Sequence, residues 1–166
     1  MEDRFTAEGP TWDREKGELW IVGRRNTAID AQALCDYLDS LVGSQVAEVI
    51  INNLESRAGK QDGDWVRKEK PELATNELIK FGEEWDRMSG VGATQVTLPE
   101  DKTTPIVLEI SNPSVKGTQG AAKAFLFSWW AGMLTSLLGK NFEYKNVLYD
   151  QEKNIMKCQI VPRETG

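Results

Sequence analysis

Apolar positions fall along the chain with two periods. Residues 12–22, WDREKGELWIV, read as a hairpin: LWIV at 19–22 is β-prone, and residues 13–17 supply turn chemistry. A helix opens at Ile29-Asp30, carries Ala31, Leu34, Leu38 and Leu41 as a stripe, and ends near Gly43. A second starts near Gln45 with Val46, Val49, Ile50 and Leu54 as its apolar face. Residues 57–70, RAGKQDGDWVRKEK, are charged and contain glycine, which leaves helix, loop or mobile segment open. Pro71 breaks whatever precedes it. Residues 73–88 form a third helix with Leu78, Phe81 and Trp85 among its apolar positions. SGVGA at 89–93 ends that helix and leads into a strand at 94–98, and PIVLEI at 105–110 is another. After a loop to about Gln119 comes a fourth helix, the densest apolar run of the chain, FLFSWWAGMLTSLLGK at 125–140. Two strands close the chain at 141–149 and 155–162, joined by the charged turn DQEKN.

The order is ββ-ααα-ββ-α-ββ. Strands in adjacent pairs with short turns predict a largely antiparallel, twisted sheet. Grouped helices predict an α+β domain, with about four helices packed on that sheet, rather than a Rossmann-type alternation. No repeat, low-complexity tract or linker interrupts the 166 residues, so one domain is expected: a core of about 18–162 and an N-terminal tail of about 1–10.

Charge and composition narrow the function classes. The formal net charge is −6, which disfavours nucleic acid and anionic membrane surfaces as partners. Histidine is absent, which removes the commonest general base and metal ligand, and every Ser-His or Cys-His pair. The two cysteines, Cys35 and Cys158, lie far apart and form no C-x-x-C. The polar start MEDRFTAEGP is no secretory signal, so a cytoplasmic protein is expected.

The fourth helix must be buried in a membrane, a core, a partner or around a ligand. Its 18 residues from 121 to 138 include Lys123, Ser128, Thr135 and Ser136, which argues against an integral membrane segment. An all-round apolar helix needs cover on more than one side, from sheet, helices and part of a second subunit. Gly132 in its middle costs roughly 1 kcal/mol relative to alanine, which a close backbone approach or room for a ligand would offset. Helix-on-sheet packing accounts for most of its side chains. Trp129, Trp130 and Met133 also suit a cavity wall, because indole offers a broad face with a polar N–H and methionine adapts to shape.

The C-terminal half resembles the V4R (4-vinyl reductase) domain family, related in fold to the Bet3-like subunits of the TRAPP tethering complex. The carrying segments, in order, are SGVGATQVTL, IVLEISNPSVKG, the helix ending WWAGMLTSLLGK, then NFEYKNVLYD and KCQIV. The resemblance covers roughly residues 18–162 and rests on their order and spacing. It implies a homodimer and a hydrophobic cavity between helices and sheet for small aromatic or other apolar compounds. Many members bind zinc through cysteines, of which only Cys158 survives here. The other positions fall near Lys123 and on Asn146 and Tyr149, so no metal or other cofactor is expected. Tyr144 matches an aromatic position beside the family's pocket.

These readings converge on a non-enzymatic, sensor-type small-molecule-binding domain. The expected ligand-binding residues are Phe125, Trp129, Met133 and Tyr144, with Phe81 and Trp85 from the third helix; spacing of four puts the first three on one helical face. A Bet3-like scaffold or protein-interaction module without a ligand is the alternative. Neither Cys35 nor Cys158 is expected to do more than pack. GTQGAAKA at 117–124 lacks phosphate-loop spacing and reads as a capping loop, with Thr118 the candidate cap. The acids Glu83, Glu84 and Asp86 read as a solvated face. Asp62 and Asp64, within DGD, are too few for a calcium loop.

Overall fold

Strict alternation of buried and half-buried residues along IVLEIS and IMKCQIV builds the sheet that carries the core. The computed structural model describes residues 11–13, 18–21, 24–26, 30–99, 101 and 104–163. The expected tail of residues 1–10 and the hairpin turn at 14–17 lie outside them. In chain order the elements are β1 (Thr11–Asp13), β2 (Glu18–Ile21), β3 (Arg24–Asn26), α1 (Ala31–Val42), α2 (Ser44–Glu69), α3 (Thr75–Ser89), β4 (Ala93–Thr97), β5 (Ile106–Ser111), α4 (Gly120–Leu138), β6 (Phe142–Asp150) and β7 (Ile155–Pro162). β1, β2 and β3 form a three-stranded antiparallel sheet, one strand more than the expected hairpin. β4, β5, β7 and β6, in that spatial order, form a four-stranded antiparallel sheet. Leu108 opposes Cys158 and Ile110 opposes Met156 across β5 and β7. All four are buried in one cluster with Phe127, Leu134 and Leu137 of α4. This is the expected α+β class.

Helix ends follow local chemistry. The Asp30 carboxylate caps α1 by accepting from the Ala33 N–H at 2.9 Å. The Glu77 carboxylate reaches back to the Ala74 N–H at the start of α3. α4 departs from expectation, because Thr118 does not cap it. Its N-cap is Gln119, and the Asp39 carboxylate of α1 accepts from the Ala121 N–H at 3.0 Å. A side chain from another helix thus satisfies one of its orphan donors.

The open question at 57–70 resolves as helix, since α2 runs unbroken for 26 residues. Gly59 and Gly63 do not break it; they let α4 in. A Cβ on Gly59 would lie 1.9 Å from the Trp129 carbonyl oxygen, and one on Gly132 would lie 2.0 Å from the Ser56 carbonyl oxygen. Gly132 therefore serves close backbone approach. Small residues recur every fourth position on α4, at Ser128, Gly132 and Ser136, and line this seam. Ser128 donates to Asn52 at 2.8 Å, Ser136 donates to Asp64 at 2.6 Å, and the Arg67 guanidinium donates to the Leu137 carbonyl.

This seam inverts the polarity suggested by the sequence. The buried residues of α2 are Ala47, Ile51, Gly59, Gly63 and Val66. Its large apolar stripe points outward, with Val46 51%, Val49 58% and Leu54 60% exposed, and Tyr37 and Leu41 of α1 are exposed as well. No helix among the described residues is long and apolar enough to cross a membrane.

Candidate functional site

The adjacent tryptophans of α4 point to different helices. The Trp129 indole N–H donates to Asp62 of α2 at 2.9 Å, and the Trp130 N–H donates to Asp86 of α3 at 2.6 Å. Their rings meet edge to face, with centroids 5.2 Å apart. Between the three helices lies a cleft of about 390 Å³. Trp85, Phe125, Trp129, Trp130 and Leu126 form its apolar walls, and Glu55, Gln61, Asp62, Asp86 and Ser89 its polar ones.

The carboxylates are perturbed by the same burial that shapes the cleft. Asp86 is 4% exposed. Burial raises its pKa from 3.8 to about 6, the bonds from Thr94 and Trp130 pull it down, and neighbouring Glu83 pushes it up. Burial likewise raises Glu55 to about 7, helped by repulsion from Asp62 and Asp86. Asp86 also fixes the backbone: its carbonyl accepts from Gly90, a left-handed residue at the end of α3, and from Val91. The side chain is thus held at the junction of α3 and β4, with Thr94 donating to it at 2.5 Å.

Of the residues singled out from the sequence, Trp85, Phe125 and Trp129 line this cleft. Phe81 stands behind Trp85, edge to face, at 5.8 Å between centroids. Met133, one turn beyond Trp129, is wholly covered, because the glycines Gly59 and Gly82 bring α2 and α3 over it. Tyr144 lines a separate depression of about 310 Å³, with Glu48, Asn52, Lys123 and Asn146. There its hydroxyl donates to Glu48 at 3.0 Å, Lys123 pairs with the same carboxylate at 2.8 Å, and burial pushes the phenol pKa up.

Sequence reasoning missed the polar half of the cleft. Asp86 is not on a solvated face; only Glu84 of that trio is exposed, paired with Arg87 at 2.6 Å. Glu83 is half-buried and accepts from the Val96 N–H at 2.7 Å. Glu55 and Asp62 are seven residues apart, two turns on one face of α2, a relation visible only once residues 57–70 are helical. Cys35 and Cys158 are both buried, and burial raises both thiols, Cys35 to about 11. Neither is poised as a nucleophile.

No family model matches the chain, and neither does any curated protein. Solved structures do. The phenol-responsive sensory domain of the transcription activator PoxR, determined with phenol, superposes with a TM-score of 0.74 over 98% of this chain and 90% of that one, at 14% identity. A trafficking protein particle complex subunit 3 from Naegleria fowleri, covalently bound to palmitic acid, aligns with a TM-score of 0.43 over 81% of this chain and 96% of that one, also at 14% identity. Nothing further is drawn from the second. The first shows the architecture: the chain has the α+β fold of the PoxR sensory domain.

Proposed function

We propose that this chain is a non-enzymatic, small-molecule-binding domain of sensor type, with its ligand held in the cleft between α2, α3 and α4. The observation that carries this reading is the cleft itself, about 390 Å³ and walled by Trp85, Phe125, Trp129 and Trp130. Its volume falls in the range of small-molecule sites, and its aromatic walls with a few convergent polar groups match their usual chemistry. PoxR, which shares the fold, has a phenol-responsive domain. The absence of histidine from the sequence and the raised thiol pKa values speak for binding rather than catalysis. No cofactor is part of the proposal.

Trp129→Ala tests the site. It removes one aromatic wall and is expected to weaken binding of phenol, used as a probe, by roughly tenfold or more. Isothermal titration calorimetry would measure this, with circular dichroism to verify folding. Unchanged affinity in a folded variant would remove Trp129 from the site.

The outward apolar stripe of α2 favours a second element of the proposal, a homodimer. Val46, Val49, Ile50 and Leu54 are exposed at helical spacing, and obligate interfaces resemble a core cut in half. Leu54→Lys is expected to shift the sedimenting species from dimer to monomer without loss of a cooperative melt. A parent chain that sediments as a monomer at micromolar concentration would dismiss the dimer. A dimer that binds no small molecule would favour a Bet3-like scaffold module instead.

A further inference from the structure

We infer that Asp86 sets the chemical class and the orientation of the ligand: a flat apolar molecule whose one polar group, an O–H or an N–H, donates to the Asp86 Oδ1 atom at the floor of the cleft. This rests on the proposed binding role and deepens it. Both donors that reach this carboxylate, the Thr94 hydroxyl and the Trp130 indole N–H, fall on Oδ2. Oδ1 accepts from no described residue. The side chain is nearly sealed, since Asp86 is 4% exposed. Yet among the described residues no wholly buried side-chain oxygen or nitrogen lacks a partner. Oδ1 therefore keeps contact with open space, and the open space that Asp86 borders is the cleft. An acceptor held there without a donor costs free energy that a ligand donor would recover.

The place of this oxygen fixes how a ligand lies. Asp86, Leu126 and Trp130 are the buried members of the lining, whereas Gln61 and Ser89 are exposed at its mouth. Phe125 and Trp129 are half-buried and come between. A ring enters with its polar end leading. The Trp130 N–H does not compete for that end, because it is already spent on Oδ2. Glu55, Gln61, Asp62 and Ser89 are all less buried than Asp86, and nearer the mouth water competes for the same hydrogen bonds. Held from β4 by Thr94 and from α4 by Trp130, the carboxylate cannot turn to follow a misplaced donor. A ligand that offers only an acceptor sets lone pair against lone pair, and a hydrocarbon leaves Oδ1 dry and unpaired. The cleft rejects both.

The test is calorimetric titration of the full chain at pH 8 with four probes of similar size: phenol, aniline, toluene and benzonitrile. At that pH the carboxyl, which burial raises to about 6, is ionised, and both its oxygens only accept. Phenol and aniline are expected to bind at least about tenfold more tightly than toluene and benzonitrile. Asp86→Asn gives the second reading, with circular dichroism to verify folding. Its amide oxygen takes over the bonds from Thr94 and Trp130, so its NH2 group replaces Oδ1 at the floor. An acceptor is exchanged for a donor, and the phenol-to-benzonitrile preference should fall by about a hundredfold and reverse. A folded Asp86→Asn chain that lowers all four affinities alike would overturn the inference, since that is the mark of a merely structural carboxylate. If the variant does not fold, the parent series decides alone. Toluene bound as tightly as phenol by the parent, with Trp129→Ala weakening both, would overturn the inference and leave the binding role standing. If none of the four binds, both fall.

Discussion

Gly132→Ala is expected to destabilise the domain by about 3 kcal/mol, read as a lower urea midpoint. The sign is informative because propensity alone predicts the opposite, a gain of roughly 1 kcal/mol for alanine over glycine within a helix. The added methyl would sit 2.0 Å from the Ser56 carbonyl oxygen and 2.9 Å from the Lys60 nitrogen. Both are backbone atoms of a continuous helix, which cannot rotate aside as a side chain can. α2 must move as a body or the seam must open. Gly59→Ala, meeting the Trp129 carbonyl from the other side, is expected to behave alike. A midpoint raised in either variant would show that the two helices do not touch there.

The second large effect centres on Asp86. Asp86→Ala leaves the Trp130 indole N–H and the Thr94 hydroxyl buried without an acceptor, which costs about 2–4 kcal/mol. Asp86→Asn keeps an acceptor oxygen for both donors and removes the charge, and its effect should depend on pH. The folded pKa lies above the unfolded one, about 6 against 3.8, so the folded state holds a proton that the unfolded chain has released. This contribution to stability is whole below about pH 4 and is lost as pH rises through about 6. Glu55 adds the same sign of change between 4.5 and about 7. The parent is thus expected to weaken from pH 4 to pH 7. Asp86→Asn should show a shallower decline and overtake the parent above pH 6, by a margin on the order of 2 kcal/mol. Urea midpoints at pH 4, 6 and 8 would reveal the crossing. Parallel curves would mean that the Asp86 carboxyl titrates alike in the folded and the unfolded chain.

The parts of the fold that follow a single period were legible. β5 and β7 alternate as written, and α4 fills the place its composition demands. α2 was not, for a specific reason. Hydropathy ranks Val46, Val49, Ile50 and Leu54 as its inward face, whereas the close contact with α4 is made at Gly59 and Gly63, whose value lies in being small. Seam glycines are indistinguishable in sequence from helix breakers, and so Arg57 to Lys70 stayed undecided. The aromatic half of the cleft could be read because tryptophan and phenylalanine must be placed somewhere. The acidic half could not, since a glutamate or aspartate is assigned to solvent until a neighbouring element shows otherwise. Asp86 needed the Trp130 indole and Thr94, residues 44 and 8 positions away, to explain its burial.

Helix α2 serves two surfaces. Glu55, Ala58 and Asp62 face the cleft, while Val46, Val49 and Leu54 face outward. Because the seam with α4 is backbone against backbone, no layer of long side chains lies between the helices to absorb a displacement. Any ligand that pushes α2 away from α4 must carry the outward stripe with it, by the same distance and in the same step.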